Sequence, residues 1–459
     1  MMVKIEQLAT RSIRNCTRGQ DVCQILAAAI NGADAGEAVR RHVSRSDDML
    51  MIDKHQVALE SCRRILVFAI GKASLPMAES MADLLKDRIM MGLVITKDEY
   101  AGDVNLTHAP GIHILKAGHP IPDGRNIAAG KALRAMAQNC LPEDLVIFLI
   151  SGGGSALLMS PADGLSLEDI QSLTDILLKC GATITEINTI RKHIDDFKGG
   201  GMTKIFAPAR VVTLILSDVL DDRIDMIASG PTVADLTTYA EAWEILKKYQ
   251  VLELIPARIK SHLLSGMEGK IAETLKPGDP LLENVTNVIV GNLLDAIHAG
   301  DDAARRMGFT TRILTTRLQG EAAQVGSNLV EDALGIFTSP GNMARPVCLI
   351  AGGETTVTLK GDGLGGRNQE LALGAVKCLA GSIPIVMVTL ATDGGDGMTD
   401  AAGAVATNET YAYGLSLGLD PLDFLQRNDS YHYFEQMDDL IRTGPTRTNV
   451  NDLIFIFNF

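Results

Sequence analysis

The sequence predicts an α/β protein of two domains with mainly parallel sheets, and three observations carry that reading. From residue 64 onward, short apolar runs recur, each closed by a polar or glycine-rich turn and followed by an amphipathic stretch, the texture of repeated β-α units. The runs are apolar throughout rather than alternating, as strands buried on both faces of a parallel sheet are. The length, 459 residues, exceeds what one hydrophobic core fills, since domains run to about 100 to 200 residues.

Residues 5 to 60 carry helix-period patterning, with Val22, Ile25, Leu26 and Ile30 three and four apart, and read as a helical preamble. The strands that follow are expected at 64–70, 93–96, 145–150, 211–216, 287–290, 310–315, 346–351 and 384–391. Residues 240–285 are mostly amphipathic helix, and Pro277, Gly278 and Pro280 mark a break just before the next strand. The expected domains are therefore 1–280, Rossmann-like, and 281–459, a second α/β unit. Glycine concentrates at the strand ends, where α/β proteins bind ligands.

Composition removes several classes of function. With 46% apolar and 21% charged residues the chain sits near the globular average, so disorder, collagen and coiled coil are poor readings. A formal charge of −14 repels nucleic acid and anionic membranes, and 4% aromatics supply few stacking platforms for single strands. No apolar run approaches the roughly 18 residues of a membrane span. The N-terminus lacks the plan of a secretory signal, and Glu6 among Lys4, Arg11, Arg14 and Arg18 gives only a weak mitochondrial flavour, so the expected location is cytoplasmic. Seven cysteines without a Cys-x-x-Cys pair point to reduced thiols rather than disulfides or zinc.

Chemistry concentrates in the strand-end turns. After 145–150 come Ser151, Gly152, Gly153, Gly154 and Ser155, where the absence of side chains lets backbone N–H groups approach an anion, with two hydroxyls beside them. The turn is neither a Walker A loop nor a dinucleotide fingerprint, whose third glycine position holds Leu157. After 64–70 comes Gly71-Lys72-Ala73-Ser74, whose lysine at a strand end suits a phosphate or is simply solvated. Arg191, Lys192, His193 and Lys198 precede Gly199, Gly200 and Gly201, either an anion site or a wet charged surface. Ser217 and Asp218 end the next strand, and such an Asp can hold a divalent ion or accept a hydroxyl proton. In the C-terminal half the candidates are Asn292, Glu354, Arg367, Asn368 and Gln369, with Asp393 and Asp396 placed to hold Mg²⁺ partly through waters. No Gly-x-Ser-x-Gly elbow or His-Glu-x-x-His helix exists. The set favours phosphoryl transfer, which needs positioning and charge neutralisation more than a strong nucleophile.

Read in order, Ile70 to Ser74, Ser151 to Leu157, Arg191 to Gly201, Leu216 to Val219 with Ser229 to Thr232, Gly352 to Thr356, Gly365 to Glu370, Thr392 to Gly397 and Thr448 to Leu453 resemble the class II glycerate kinases, the glycerate 2-kinase family with a C-terminal domain known as MOFRL. The resemblance implies two α/β domains with a ligand cleft between them, ATP and Mg²⁺ as cofactors, and phosphorylation of D-glycerate to 2-phosphoglycerate. The family's cleft lysine maps to Lys72 and its cleft arginine to Arg367 as catalytic groups, while the other turns line nucleotide and substrate subsites. Which turn holds which phosphate stays open, as do the choice of 2- or 3-hydroxyl, the preferred nucleotide and homo-oligomerisation. Two departures stand out: Arg447 replaces the second glycine of Gly-Pro-Thr-Gly-Thr-Asn, and the tail from Leu453 to Phe459 is unusually apolar. A glycine needed at positive φ would make Arg447 a strained change. A nicotinamide-dependent hydroxypyruvate reductase and a non-catalytic binder of sugar acids or phosphates are the alternatives.

Overall fold

The computed structural model describes residues 3–100, 106, 108–339 and 343–459. One compact unit is Ala35–Val290; the other joins the residues up to Asp34 with Gly291–Phe459.

The first unit opens with helix Ala35–His42 and a three-stranded antiparallel ribbon, β1 (Val43–Ser46), β2 (Met49–Ile52) and β3 (His55–Ala58). The helical preamble expected over 5–60 therefore ends before residue 43. Two-residue turns at Asp47-Asp48 and Asp53-Lys54 fold the ribbon, Asp47 and Asp53 taking the left-handed conformation at φ 49° and 48°. Asp tolerates that region, but without a following glycine the turns carry little sequence signal.

The main sheet of this unit has the order β6-β5-β4-β7-β8-β9, built from β4 (Arg64–Ile70), β5 (Ile89–Thr96), β6 (Ile112–Lys116), β7 (Asp144–Ile150), β8 (Arg210–Leu216) and β9 (Val285–Gly291). The β4–β5, β5–β6, β4–β7 and β7–β8 pairs are all parallel. The chain runs outward from β4 to β6 and then returns to β7 on the other side of β4. The order reverses between β4 and β7, and the carboxyl ends of these two strands open a crevice. Under them Phe68, Phe148 and Phe206 form a ring cluster with centroids 5.1 to 5.6 Å apart. At the opposite edge Asp144 starts β7 directly beside Arg64, which starts β4. Its buried carboxylate accepts from Arg63 Nη2 and Arg64 Nη2, both at 2.6 Å, and from the Leu141 amide at 2.9 Å.

In the second unit the amphipathic helix Gly19–Gly32 packs on helix Leu293–Arg306. A Cβ on Gly300 would stand 2.9 Å from Phe455 and 3.1 Å from Ala29, so the missing side chain lets the layers close. The expected domains of 1–280 and 281–459 differ from this partition, because the N-terminal helices pack with the C-terminal unit. An apolar stripe announces that a helix needs a partner without naming it.

The second sheet has the order β10-β11-β15-β12-β13-β14, from β10 (Thr310–Leu318), β11 (Val347–Gly353), β12 (Ile385–Ala391), β13 (Gly403–Thr407), β14 (Leu440–Ile441) and β15 (Asp452–Asn458). Here β10–β11 is parallel, whereas β15 runs antiparallel to both β11 and β12, and β13 antiparallel to β12. Mainly parallel pairing thus holds for the first sheet and not for the second. Burial on both faces makes a central antiparallel strand as apolar as a parallel one, so the sequence pattern does not separate them. The apolar tail is β15, buried along its whole length. Its place between β11 and β12 explains its composition.

Burial acts to raise the Asp144 pKa, but the hydrogen bonds from Arg64 and Arg63 outweigh it and hold the carboxyl well below the usual range. A depressed carboxylate contributes stability above its unfolded pKa, about 3.9, and that contribution is lost as pH falls towards the folded value. Asp144→Asn is therefore expected to lower the urea midpoint at pH 7, with the gap from the parent shrinking below about pH 4. A gap independent of pH would exclude the charge as its cause.

Candidate functional site

Register brings the first two turns together. Ile70 pairs with Ile150, so Gly71 and Ser151 leave adjacent strands at the same level. Gly71 adopts φ +127°, and a Cβ there would lie 2.2 Å from Ser151 Oγ. The Lys72 amide donates to Gly152 O at 2.9 Å, and the Ala73 amide to Ser151 Oγ at 3.0 Å. The two turns therefore form one hydrogen-bonded platform, with Ser151 as its buried brace. Gly153 takes φ +82°, and the point where its Cβ would stand is 3.4 Å from Lys72 Cγ. Among the described residues the Gly152 and Gly153 amides have no protein acceptor. These donors beside a lysine suit an anion. Ser155 Oγ lies 2.7 Å from Ser229 Oγ, which donates to Asn188 Oδ1 at 3.1 Å. Ala228 and Ser229 both hold positive φ, 49° and 61°, strain of the kind that collects at functional sites.

The basic run is buried rather than wet. Lys192 pairs with Asp235 at 3.1 Å, Lys198 with Asp195 at 2.8 Å, and His193 Nε2 lies 3.2 Å from Glu273. Lys198 and Gly199 line a cavity of about 570 Å³ with Tyr239, His262 and Thr274. Burial lowers the Lys198 pKa against the pull of Asp195. The Gly199 and Gly200 amides donate to Ser229 O and Gly230 O, at 3.0 and 2.8 Å. These glycines support the strained Ser229 turn, so the expected open anion cradle at Gly199 is corrected. Arg191 differs from its neighbours: no ion pair ties it down among the described residues, and burial lowers its pKa with Asp195 opposing. Ser217 closes a local turn with Val219 at the end of β8, and Asp218 follows it, half-buried.

In the second unit β11 and β12 end, and β15 begins, at one edge, because Asp452 pairs with both Gly353 and Ala391. Antiparallel β15 thus delivers its first residue to the edge that holds the other turns. Asp452 grips Arg367 with two parallel bonds, Nε to Oδ2 at 2.6 Å and Nη2 to Oδ1 at 3.0 Å, while Arg367 Nη1 donates to Glu354 at 2.5 Å. Burial acts to lower the Arg367 pKa, but Asp452 and Glu354 more than reverse it. Among the described residues three of the five guanidinium N–H donors are engaged, which leaves two for a ligand.

Asp396, expected as a metal ligand, is engaged at the start of a helix. It is 2% exposed, and its oxygens accept the amides of Asn368 at 3.1 Å and Gln369 at 2.8 Å, at the start of helix Arg367–Leu379. Burial pushes its pKa up to about 7 against those bonds. It anchors the helix that carries Arg367. Asn368 and Gln369, expected as binding residues, are 1% and 0% exposed and belong to the same anchor. Asp393 accepts the Gly395 amide at 3.0 Å and is the turn's remaining carboxylate. The described residues contain no cluster of three metal-ligating groups. Mg²⁺ on a nucleotide keeps phosphate and water ligands, so the residues present fit at most one protein ligand from this turn. Asn292 caps helix Leu293–Arg306 by accepting from the Leu294 amide at 3.0 Å, a structural duty. Arg447 does hold φ 64°, the conformation for which glycine was expected.

Three residues of these sites were not singled out from sequence. Asp452 lies inside the motif Thr448 to Leu453, but its role needs the register of β15. His119 follows β6, and its Nε2 lies 3.1 Å from the point where a Gly153 Cβ would stand. Asn126, fully buried, donates to Gly118 O at 2.9 Å and Ala156 O at 2.7 Å, tying the His119 segment to the glycine turn. A histidine after a weakly apolar strand carried no signal on its own.

The chain is similar to several known proteins. Residues 21–264 match a domain of unknown function (DUF4147), and residues 347–452 match the MOFRL family. A glycerate 2-kinase of Pyrococcus horikoshii is 38% identical over 94% of this chain and 95% of its own length. The crystal structure of a glycerate kinase from Thermotoga maritima is similar with a TM-score of 0.79 and 36% identity, covering 96% of this chain and 99% of that one. A protein of Agrobacterium vitis bearing a hydroxypyruvate reductase name is 38% identical over 85% of this chain and 98% of its own.

Gly153→Ala tests the platform. The positive φ should cost about 1–2 kcal/mol of stability in urea unfolding. An unchanged midpoint would show that the turn adopts another conformation.

Proposed function

Because the chain belongs to the class II glycerate kinase family, we propose that it transfers the terminal phosphoryl group of ATP to the 2-hydroxyl of D-glycerate, giving 2-phosphoglycerate and ADP. The observation that carries this reading is the platform at the β4–β7 crossing, where Lys72 stands beside the open amides of Gly152 and Gly153. In the transfer a bond forms between the hydroxyl oxygen and phosphorus, the bond to the departing ADP oxygen breaks, and the hydroxyl proton leaves. Charge accumulates on oxygens, and a fixed cation stabilises the transition state more than the ground state. Lys72 supplies such a cation. Arg367 supplies another, its plane set by Asp452 and Glu354 before any ligand arrives. Arg191 offers a desolvated charge to an anionic group. Mg²⁺, when bound with the nucleotide, would neutralise phosphate charge, and Asp393 would be the carboxylate that holds it.

The reductase reading rests on a relative's name. Its dinucleotide fingerprint is missing, since Leu157 occupies the third glycine position. The two separate cleanly. Phosphorus NMR of a mixture with ATP, Mg²⁺ and D-glycerate is expected to show the 2-phosphate ester, while nicotinamide absorbance with hydroxypyruvate stays constant. A nicotinamide signal without ester would reverse the assignment.

Two variants test the cations. Lys72→Ala should fold normally and lose roughly 10² to 10³ in kcat, the scale of one electrostatic contact; kcat within about threefold of the parent would reduce Lys72 to ground-state binding. Asp452→Asn should keep the Arg367 charge but loosen its orientation. It is expected to lower kcat in the same direction as Arg367→Ala and to cost about 1.5–3 kcal/mol of stability through weaker charged hydrogen bonds. Full activity in Asp452→Asn would show that the fork does not position Arg367 for the reaction.

A further inference from the structure

We infer that His119 is a catalytic residue, the group that takes the proton from the acceptor hydroxyl as the phosphoryl group transfers; this rests on the kinase reading above. Three observations converge on it. The first is place. Around Gly153, at the reversal of strand order, His119 Nε2 and Lys72 Cγ lie 3.1 and 3.4 Å from the same point, so the imidazole edge and the lysine stem border one small space. Gly153 has no side chain to fill it. The second is construction. The segment carrying His119 is held by the fully buried Asn126, whose Oδ1 accepts the Gly118 amide at 3.0 Å and the Asp123 amide at 2.8 Å. Its Nδ2 reaches Gly118 O and, in the glycine turn, Ala156 O. One side chain thus locks the histidine's backbone to the platform, an expenditure of buried polar bonds that a surface loop does not require. The third is chemistry. Imidazole is the side chain whose ordinary pKa lies nearest neutrality, so its neutral form can accept a proton at physiological pH.

The step balances. The hydroxyl O–H bond breaks as its oxygen bonds to phosphorus, the proton moves to the imidazole, and the bond to the departing nucleotide oxygen breaks with its electron pair going to ADP. No further reactant is needed. Asp218, just past the end of β8, is the rival acceptor, but the atoms nearest the position of a Gly153 Cβ belong to His119 and Lys72 and not to it.

The test uses the full chain with ATP, Mg²⁺ and D-glycerate. His119→Ala and His119→Gln, each checked for parental circular dichroism, are expected to lose about 10² to 10⁴ in kcat while the KM for ATP stays within about threefold. Added imidazole should restore His119→Ala at least about tenfold, as expected for a missing proton acceptor. Gln keeps a hydrogen-bonding group but no base, so a Gln variant with parental kcat would make His119 a mere hydrogen-bond partner and overturn the inference. So would His119→Ala within about threefold of the parent, or a loss that imidazole leaves untouched. Transfer of the large loss to Asp218→Asn, with His119→Ala active, would assign the proton to Asp218. A parent that forms no phosphoglycerate would defeat the kinase reading, and this role with it, whereas an active parent with active His119 variants defeats this role alone.

Discussion

The parallel pairing of β4 with β7, in register to their last residues, is the constraint from which the candidate site follows. Two strands that end level must send their turns out side by side, and the turns can pass only if one of them lacks a Cβ at the point of closest approach. Gly71 meets that condition against Ser151. The same proximity converts the turns into one hydrogen-bonded body, so Lys72 hangs from a rigid base rather than from a loop. Strain at Ala228 and Ser229 is then borne by neighbours that are themselves fixed, including the amides of Gly199 and Gly200.

The second unit reaches an equivalent result by a different route. Its catalytic candidate sits at a helix start, where free amides need acceptors and a buried carboxylate supplies them. Asp396 takes that role. Asp452 then fixes the guanidinium from the side, and it reaches the site only because β15 runs antiparallel between β11 and β12. Acidic residues in this turn region thus divide their work: one holds a helix, one holds an arginine, and Asp393 is left nearest the role expected for a metal ligand.

Much of this was legible beforehand where the signal is local. The apolar runs at 64–70, 145–150 and 211–216 lie within strands of nearly those bounds, because burial on both faces forces consecutive apolar residues. The glycine turns were legible because close approach excludes side chains. The ribbon at 43–58 was not, since its turns use Asp rather than Asn-Gly and its strands are only four residues long. Arg447 was legible as a strained substitution against the family pattern, and its φ of 64° agrees.

The sequence by itself determined which segments become buried strands, which turns lie bare of side chains, and which family the motifs resemble. All of these depend on residues close along the chain. Tertiary structure alone decided what each charged residue does with its charge. Lys192 and Lys198 read like Arg191 in the sequence, yet carboxylates reach the first two. Asp393 and Asp396 read as a pair and both are buried, yet Asp396 accepts the amides of a helix start while Asp393 accepts the amide of Gly395. Asp452 and His119 acquired importance only through strand register and through the clamp formed by Asn126. The physical reason is that the free energy of a charge is set by desolvation and by partners a few ångströms away, and those partners lie 85 positions apart in the case of Arg367 and Asp452.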